Sequence, residues 1–289
     1  MKYKILIFGA SGMLGHRLFI DLPNLNKNSK VIGIIRTKKD KGLFNNNSNQ
    51  IKIFNNFKNM SEIGKLLKSI KPNVIINALG IIKQKKKTPY YDYLYFNSIF
   101  PRVLEHITKN SCKIINISTD CVFDGVKGNY TELSNDLSND VYGISKYLGE
   151  IQAHNNLTLR TSIIGHEIKN HKSLLEWFIN NKDEVIHGYK NVFFSGLTTN
   201  EMSKVLNIIL TKNYNLKGIY HLSSRKISKL NLLKKINQIY KLRKNIKPKK
   251  VKHLDRSLNS HKIKKISKIK IKTWKEMIID MYNEHLVNK

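Results

Sequence analysis

The chain holds only two cysteines in 289 residues. Cys112 and Cys121 fall in no Cys/His spacing that could grip zinc, and so few thiols argue against a disulfide scaffold and for a reducing, cytoplasmic setting. Long apolar runs are missing too. The opening MKYKILIFGA is too short, and meets glycine too soon, to be the core of a signal peptide, and no later run approaches the length that spans a bilayer. Acids are scarce: 20 Asp and Glu stand against 52 Lys and Arg, a formal charge of +32. Such an excess suits nucleic acid, an anionic membrane or a phosphorylated substrate. The lysines, however, are spread over nearly the whole chain, which reads as a compositional bias more than as one basic face. Even the densest stretch, Lys241 to Lys272 with Asp255 its sole acid, lacks any aromatic on which a base could stack, so no nucleic-acid partner is expected. What remains is a chain 40% hydrophobic, long enough for one large or two modest domains without disulfide or metal support.

Residues 3–8, YKILIF, form an apolar run of strand length that passes at once into GASGMLG and then HRLFIDL, whose spacing suits a helix. Gly9, Gly12 and Gly15 in a strand–turn–helix let backbone crowd against a pyrophosphate at a helix N-terminus, with Ser11, Met13 and Leu14 between them. A second strand, Val31–Ile35, ends at Arg36, about 20 positions past the glycines, where a ribose-reading residue is placed in dinucleotide folds. An acid there would suit NAD; the guanidinium suits a 2′-phosphate, which points to NADPH, with NADH the alternative. Lys38 and Lys39 follow, in a polar Asn-rich connection to a short third strand, Ile51–Phe54.

Ser61 is the expected cap of a helix to about Ile70, with Glu62 in its first turn. A fourth strand, Val74–Asn77, then leads into Ala78, Leu79 and Gly80, and a lysine loop, residues 83–87, follows. The next helix, about Tyr90 to Lys109, carries Asn97, and a fifth strand, Lys113–Ser118, delivers Thr119, Asp120 and Cys121 in STDCVFDG. Strands alternating with helices predict an α/β fold with a doubly wound parallel sheet, whose ligands gather at the carboxyl ends of the strands. The stretch VYGISKYLGE then sets Tyr142 and Lys146 four apart, on one face of a helix. A phenol with a pKa of about 10 needs a neighbouring cation to act near neutral pH, and Lys146 can be that cation.

GASGMLG, NALG, STDCVFDG and YGISK, in this order, resemble an extended short-chain dehydrogenase/reductase, and STDCVFDG with the later RTSIIG is similar in particular to the dTDP-4-dehydrorhamnose reductase group, which reduces 4-keto-6-deoxy nucleotide sugars. The resemblance implies a Rossmann domain over 1–165, with about 195–222 returning to it, and a smaller α/β substrate lobe formed mainly by 166–289. It implies Tyr142 as proton donor, Lys146 as its activator and ribose anchor, Thr119 as the hydroxyl that orients the substrate carbonyl, and Asn97 as the helix asparagine that steadies the lysine through water. Arg256, in DRSLNS, falls where it could meet the nucleotide diphosphate, a task that suits bidentate arginine. Cys121 stands where the rhamnose reductases usually carry tyrosine, which admits another sugar, for instance an N-acetylated 6-deoxyhexose on UDP. A homodimer is left open, and no ligand set for a metal is legible. The fold also occurs in non-catalytic cofactor-binding regulatory subunits, an alternative that an intact Tyr142 and Lys146 argue against.

Beyond Gly165, HKSLLEWFINN and ISKLNLLKKINQIY have helical spacing, and NVFFSGLTTNEMSKVLNIIL joins a strand to a helix capped near Thr199. Trp177 and Trp274 are expected to be packed. His221, at a strand end, is expected to be structural.

Overall fold

The structure, a computed structural model, describes residues 3–82, 88–109, 111–169 and 171–287. The lysine loop at 83–87 lies outside the described residues. Seven parallel strands make the central sheet. In chain order they are β1 (Lys4–Phe8), β2 (Lys30–Ile35), β3 (Ile51–Ile53), β4 (Val74–Asn77), β5 (Lys113–Thr119), β6 (Leu157–Thr161) and the strand Gly218–His221. In space the last of these forms one edge, followed by β6, β5, β4, β1, β2 and β3. The chain therefore winds outward in one direction from β1 and returns to wind in the other from β4, leaving a crevice where β1 and β4 diverge.

The sequence of β1 shows why both faces are covered. Side chains alternate across a strand. Ile5 and Ile7 enter a core shared with Leu14, Leu18, Phe19 and Leu22 of α1 (Met13–Leu25) and with Met202, Val205, Leu206 and Ile209 of the helix Thr199–Lys212. Leu6 and Phe8 enter the opposite core, with Ile63, Leu67 and Ile70 of the helix Met60–Ile70 and with Phe100 and Leu104. Each such side chain, fully buried, is worth about 1.5–3 kcal/mol against exposure, so the continuous apolar run that would be unstable on a one-sided sheet is what this position requires.

Several elements depart from expectation for local reasons. Asn59, not Ser61, caps the helix Met60–Ile70: its extended backbone lets the side-chain oxygen accept from Glu62 N at 3.1 Å, and Ser61 is already inside the first turn. The Asn-rich connection is a 3-10 helix, Lys38–Gln50, pinned by Phe44 against Phe19. The single helix expected from Tyr90 is three pieces, α-helical over Tyr90–Leu94, a π turn over Tyr95–Ile99 and α-helical again over Phe100–Thr108. The expected strand to Ile164 breaks at Ser162, whose carbonyl accepts from Leu197 N, and the chain resumes as Ile163–Ile164 paired with Leu197–Thr198. Thr198, not Thr199, caps the following helix by accepting from Glu201 N.

After Gly165 the elements are small. Val192–Phe194 pairs with Ile227–Ser228 and Leu254–Asp255, and Ile186–Tyr189 pairs with Ile246–Lys249. Trp274 is 5% exposed and donates its indole N–H to Arg225 O. Trp177, expected to be packed, is instead 42% exposed, because the face of the helix Leu174–Asn180 that is buried carries Leu175 and Phe178. Among the described residues no helix is long and apolar enough to cross a membrane.

Candidate active site

A cavity of about 520 Å3 opens along the crevice and is lined from the glycine turn at one end to Arg256 at the other. At the first end Gly9 has φ +82°, and a Cβ there would stand 2.8 Å from Ala78 O; only glycine lets the turn cross the end of β4 so closely. A Cβ on Gly15 would stand 2.1 Å from Gly9 O, so this glycine seats α1 behind the turn and is not part of the lining. Gly12 caps α1 without a side-chain acceptor and no acid lies in the first turn, which leaves the helix amides to an anion. Ser11, Gly12, Met13 and Leu14 line this end, with Arg36 just past β2 and with Ala78, Leu79 and Gly80 beyond β4. Lys38 and Lys39 are not among the lining residues. Neither is Asn77, whose side chain is buried, donating to Asn116 Oδ1 at 2.9 Å and accepting from Leu79 N at 3.3 Å. Its role is to shape the turn that bears Leu79 and Gly80.

At the other end, Asp140 caps the helix Val141–Leu148 by accepting from Gly143 N at 2.9 Å, which fixes Tyr142 in the first turn and Lys146 one turn on. Both line the cavity. Thr119, at the end of β5, donates to Asp120 Oδ1, accepts from Cys121 N and lines the cavity together with Tyr142. Burial raises the phenol's pKa above the ordinary value, the charge of Cys121 adds to the rise, and the Thr119 hydroxyl opposes it. The expected lowering by Lys146 does not govern the phenol here. The ammonium of Lys146 donates to Ile117 O at 2.7 Å, and burial pushes its own pKa down to about 8 against the pull of Glu150.

Asn97 lies in the π turn, 1% exposed. The wider turn aims its amide inward, where Oδ1 accepts from Ile81 N at 2.8 Å while Nδ2 donates to Ile81 O at 3.1 Å and to Ser145 Oγ at 3.0 Å. It thus ties the segment after Gly80 to the residue preceding Lys146. Gly149 closes the same contact, since a Cβ there would stand 1.8 Å from Asn97 O.

Asp120, Cys121 and Arg256 line the far end. Burial raises the Asp120 carboxyl, with Ser162 and Arg256 among the groups holding it back. Arg256 donates to Phe123 O at 2.9 Å, approaches Cys121 Sγ at 3.5 Å and lies 3.6 Å from Asp140 Oδ2. Lys229 reaches the same end from a different helix, with its ammonium 5.3 Å from the Phe194 ring centroid and its pKa lowered by burial. Neither it nor Lys169, at the glycine-turn end, was legible among 52 basic residues; the signal that could have found Lys229 is its place directly after Ser228, the cap of a helix in the lobe. His221 is fully buried outside the cavity, between Tyr130 O and the Arg160 guanidinium, and its pKa is pushed down to about 3 by burial.

The RmlD substrate binding domain model matches residues 3–287. No curated protein matches the chain. Among solved structures, a dTDP-4-dehydrorhamnose reductase of Bacillus anthracis in complex with NADP has a TM-score of 0.80 at 22% identity, over 98% of this chain and 99% of that one. Another from Clostridium acetobutylicum has a TM-score of 0.79 at 21% identity, over 99% and 100%. A hypothetical dTDP-4-dehydrorhamnose reductase from Sulfolobus tokodaii has a TM-score of 0.74 at 26% identity, over 91% and 94%. With a matching model that spans nearly every residue, and a parallel sheet that opens on a glycine turn and a Tyr–Lys helix, this chain belongs to the RmlD family of extended short-chain dehydrogenases/reductases.

Proposed function

We propose that the protein reduces the C4 keto group of a 4-keto-6-deoxy nucleotide sugar, in deoxysugar synthesis for a cell-surface polysaccharide. One observation carries this reading: Thr119, Tyr142 and Lys146 line one cavity with the glycine turn. The turn fits a dinucleotide, because backbone rather than side chains fills the space against Ala78 and the α1 amides are left to an anion. Ser11, Gly12, Met13 and Leu14 would hold the pyrophosphate, Ala78 to Gly80 would border the cofactor, and Arg36 favours NADPH over NADH by matching a 2′-phosphate.

Bound NADPH supplies a hydride for the C4 carbonyl carbon. Thr119 holds the carbonyl oxygen, and Tyr142 gives that oxygen a proton as negative charge develops on it, so that the product is a hydroxyl. Lys146 stands one helical turn away, anchors the ribose and supplies the positive charge that a departing phenolic proton requires. Asn97 acts as a positioning residue through Ile81 and Ser145.

The sugar end is closed by residues after Gly165, among them Phe193, Lys229 and Arg256, which supports 166–289 as mainly a substrate lobe and 1–165, with about 195–222, as the dinucleotide domain. Arg256 would meet the nucleotide diphosphate. Cys121 in place of an aromatic leaves room for a bulkier substituent, such as the N-acetyl group of a UDP-linked 6-deoxyhexose. Cys112 and Cys121 are not joined in a disulfide, in keeping with a cytoplasmic setting. A homodimer is supported by the exposed Tyr90, Tyr91, Leu94, Ile144 and Leu148 on two helices that pack together.

The test is NADPH oxidation by purified protein with 4-keto-6-deoxy sugars on dTDP and on UDP. Turnover of one member, abolished in Tyr142→Phe, is the expected result; no turnover across the panel would remove the substrate assignment.

A further inference from the structure

Lys169 enters the glycine-turn end of the cavity from the segment that follows Gly165. Its ammonium donates to Ser11 Oγ at 2.9 Å and to Asp40 Oδ1 at 2.8 Å, and Ser11 in turn donates to Asp40 Oδ2 at 3.5 Å. The pair is partly shielded, with the Lys169 side chain 33% and the Asp40 side chain 15% exposed. Three sources of positive potential meet at this point. The N-terminus of α1 has no acid in its first turn and no capping side chain, and Arg36 stands in the same wall. An anion that shares these surroundings stabilises the ammonium. Asp40 is that anion in this structure, and it is a displaceable one: it approaches from outside the turn, carries a single charge and is not itself part of the cavity lining.

We propose that Lys169 is a phosphate ligand for the dinucleotide, held at its post by Asp40 and passed from that carboxylate to a phosphate oxygen as the cofactor enters. This rests on the dinucleotide reading given above and adds the residue that closes the phosphate end from the opposite side of the cleft. A phosphate brings more charge and more acceptor oxygens than the carboxylate, and it alone can lie against the α1 amides while it meets the ammonium. Lys169 spans the distance from the glycine turn to the stretch just past Arg36. The phosphate it takes therefore comes either from the pyrophosphate or from the 2′-position, the same chemistry in both cases.

Titration calorimetry with ADP, which carries the pyrophosphate, and with adenosine 2′-monophosphate, which carries the 2′-phosphate alone, separates the two sources without any turnover. Lys169→Met should weaken one of the two fragments by about tenfold, the scale of one charge-assisted hydrogen bond. Asp40→Asn should tighten the same fragment by about threefold, because a competing anion has gone. Thermal unfolding of both variants shows that each is folded. Unchanged affinity for both fragments in Lys169→Met overturns the proposal. So does a loss in Asp40→Asn that parallels the loss in Lys169→Met, since that is the mark of a strap with a merely structural role. If the unsubstituted protein binds neither fragment, the dinucleotide reading fails as well; if it binds them and Lys169→Met binds them equally, only this inference fails.

Discussion

Lys146 gives its ammonium to the carbonyl of Ile117 at 2.7 Å, a buried cation resting on the strand whose end bears Thr119. Its pKa, lowered by burial from the ordinary 10.5 to about 8, makes it a proton-linked group with a definite sign. The folded state holds this proton less firmly than the unfolded chain. Folding is therefore penalised in full below about pH 8, and the penalty is relieved as pH rises toward 10.5. The urea-unfolding free energy of the protein minus that of Lys146→Met should climb between pH 8 and 10. A flat difference would show that the ammonium is not buried as described. By the same titration, kcat/KM should fall as pH rises through about 8 if Lys146 supplies the charge proposed to assist proton transfer from Tyr142.

On the proposed reading, Thr119, which lines the cavity with Tyr142, holds the substrate oxygen. Thr119→Val keeps the shape and removes the hydroxyl, so kcat should drop by about a hundredfold, the usual cost of one donor to a developing oxyanion. Calorimetric affinity for NADPH should stay within about twofold, since Thr119 lies at the far end of the cleft from the glycine turn. Equal losses in both measurements would mean that the residue supports the fold more than the chemistry.

On the proposed reading, Arg36 carries the cofactor preference. Arg36→Ser should raise KM for NADPH by about tenfold while KM for NADH moves little, because a single charge-assisted contact to the 2′-phosphate goes and nothing made to the rest of the dinucleotide does. Steady-state kinetics with the two cofactors reads this directly. Parallel changes would indicate that Arg36 only walls the cavity.

Beneath the site, Glu150 accepts from Ser118 Oγ and pairs through both oxygens with Arg160, the side chains being 3% and 4% exposed. Arg160→Met strands a buried carboxylate, which should cost about 3–5 kcal/mol in urea unfolding. Arg160→Met combined with Glu150→Leu should recover most of the loss, since well-packed apolar groups often replace a buried ion pair without penalty. Failure of the double variant to recover would show that Ser118 and His221, left behind, depend on the pair.

The sheet was legible because its strands are unbroken apolar runs and its turns are marked by glycine and by Asn77, signals that local physics writes into adjacent residues. Thr119, Tyr142 and Lys146 were legible as a set for the same reason: each belongs to a short motif whose spacing has a helical or strand-end meaning. What stayed hidden depends on contacts distant in sequence. The π turn around Asn97 exists because its amide finds Ile81 and Ser145, and nothing in YFNSI announces it. Lys169 meets Ser11 across 158 positions, and in a chain so rich in lysine no pattern distinguishes it. Trp177 was misplaced by its residue type, because apolar size predicts burial only on the average and the helix turns another face inward.

The contact between Gly149 and the carbonyl of Asn97 leaves no room for even one methyl group between the two backbones. The piece of chain that seats the phenol and the piece tied through Asn97 to Ile81 at the cavity wall are thus fused without a hinge, and any drift of one must be copied by the other. Alanine at position 149 would pry them apart and be felt in the cavity wall through Asn97 and Ile81, although residue 149 does not line the cavity.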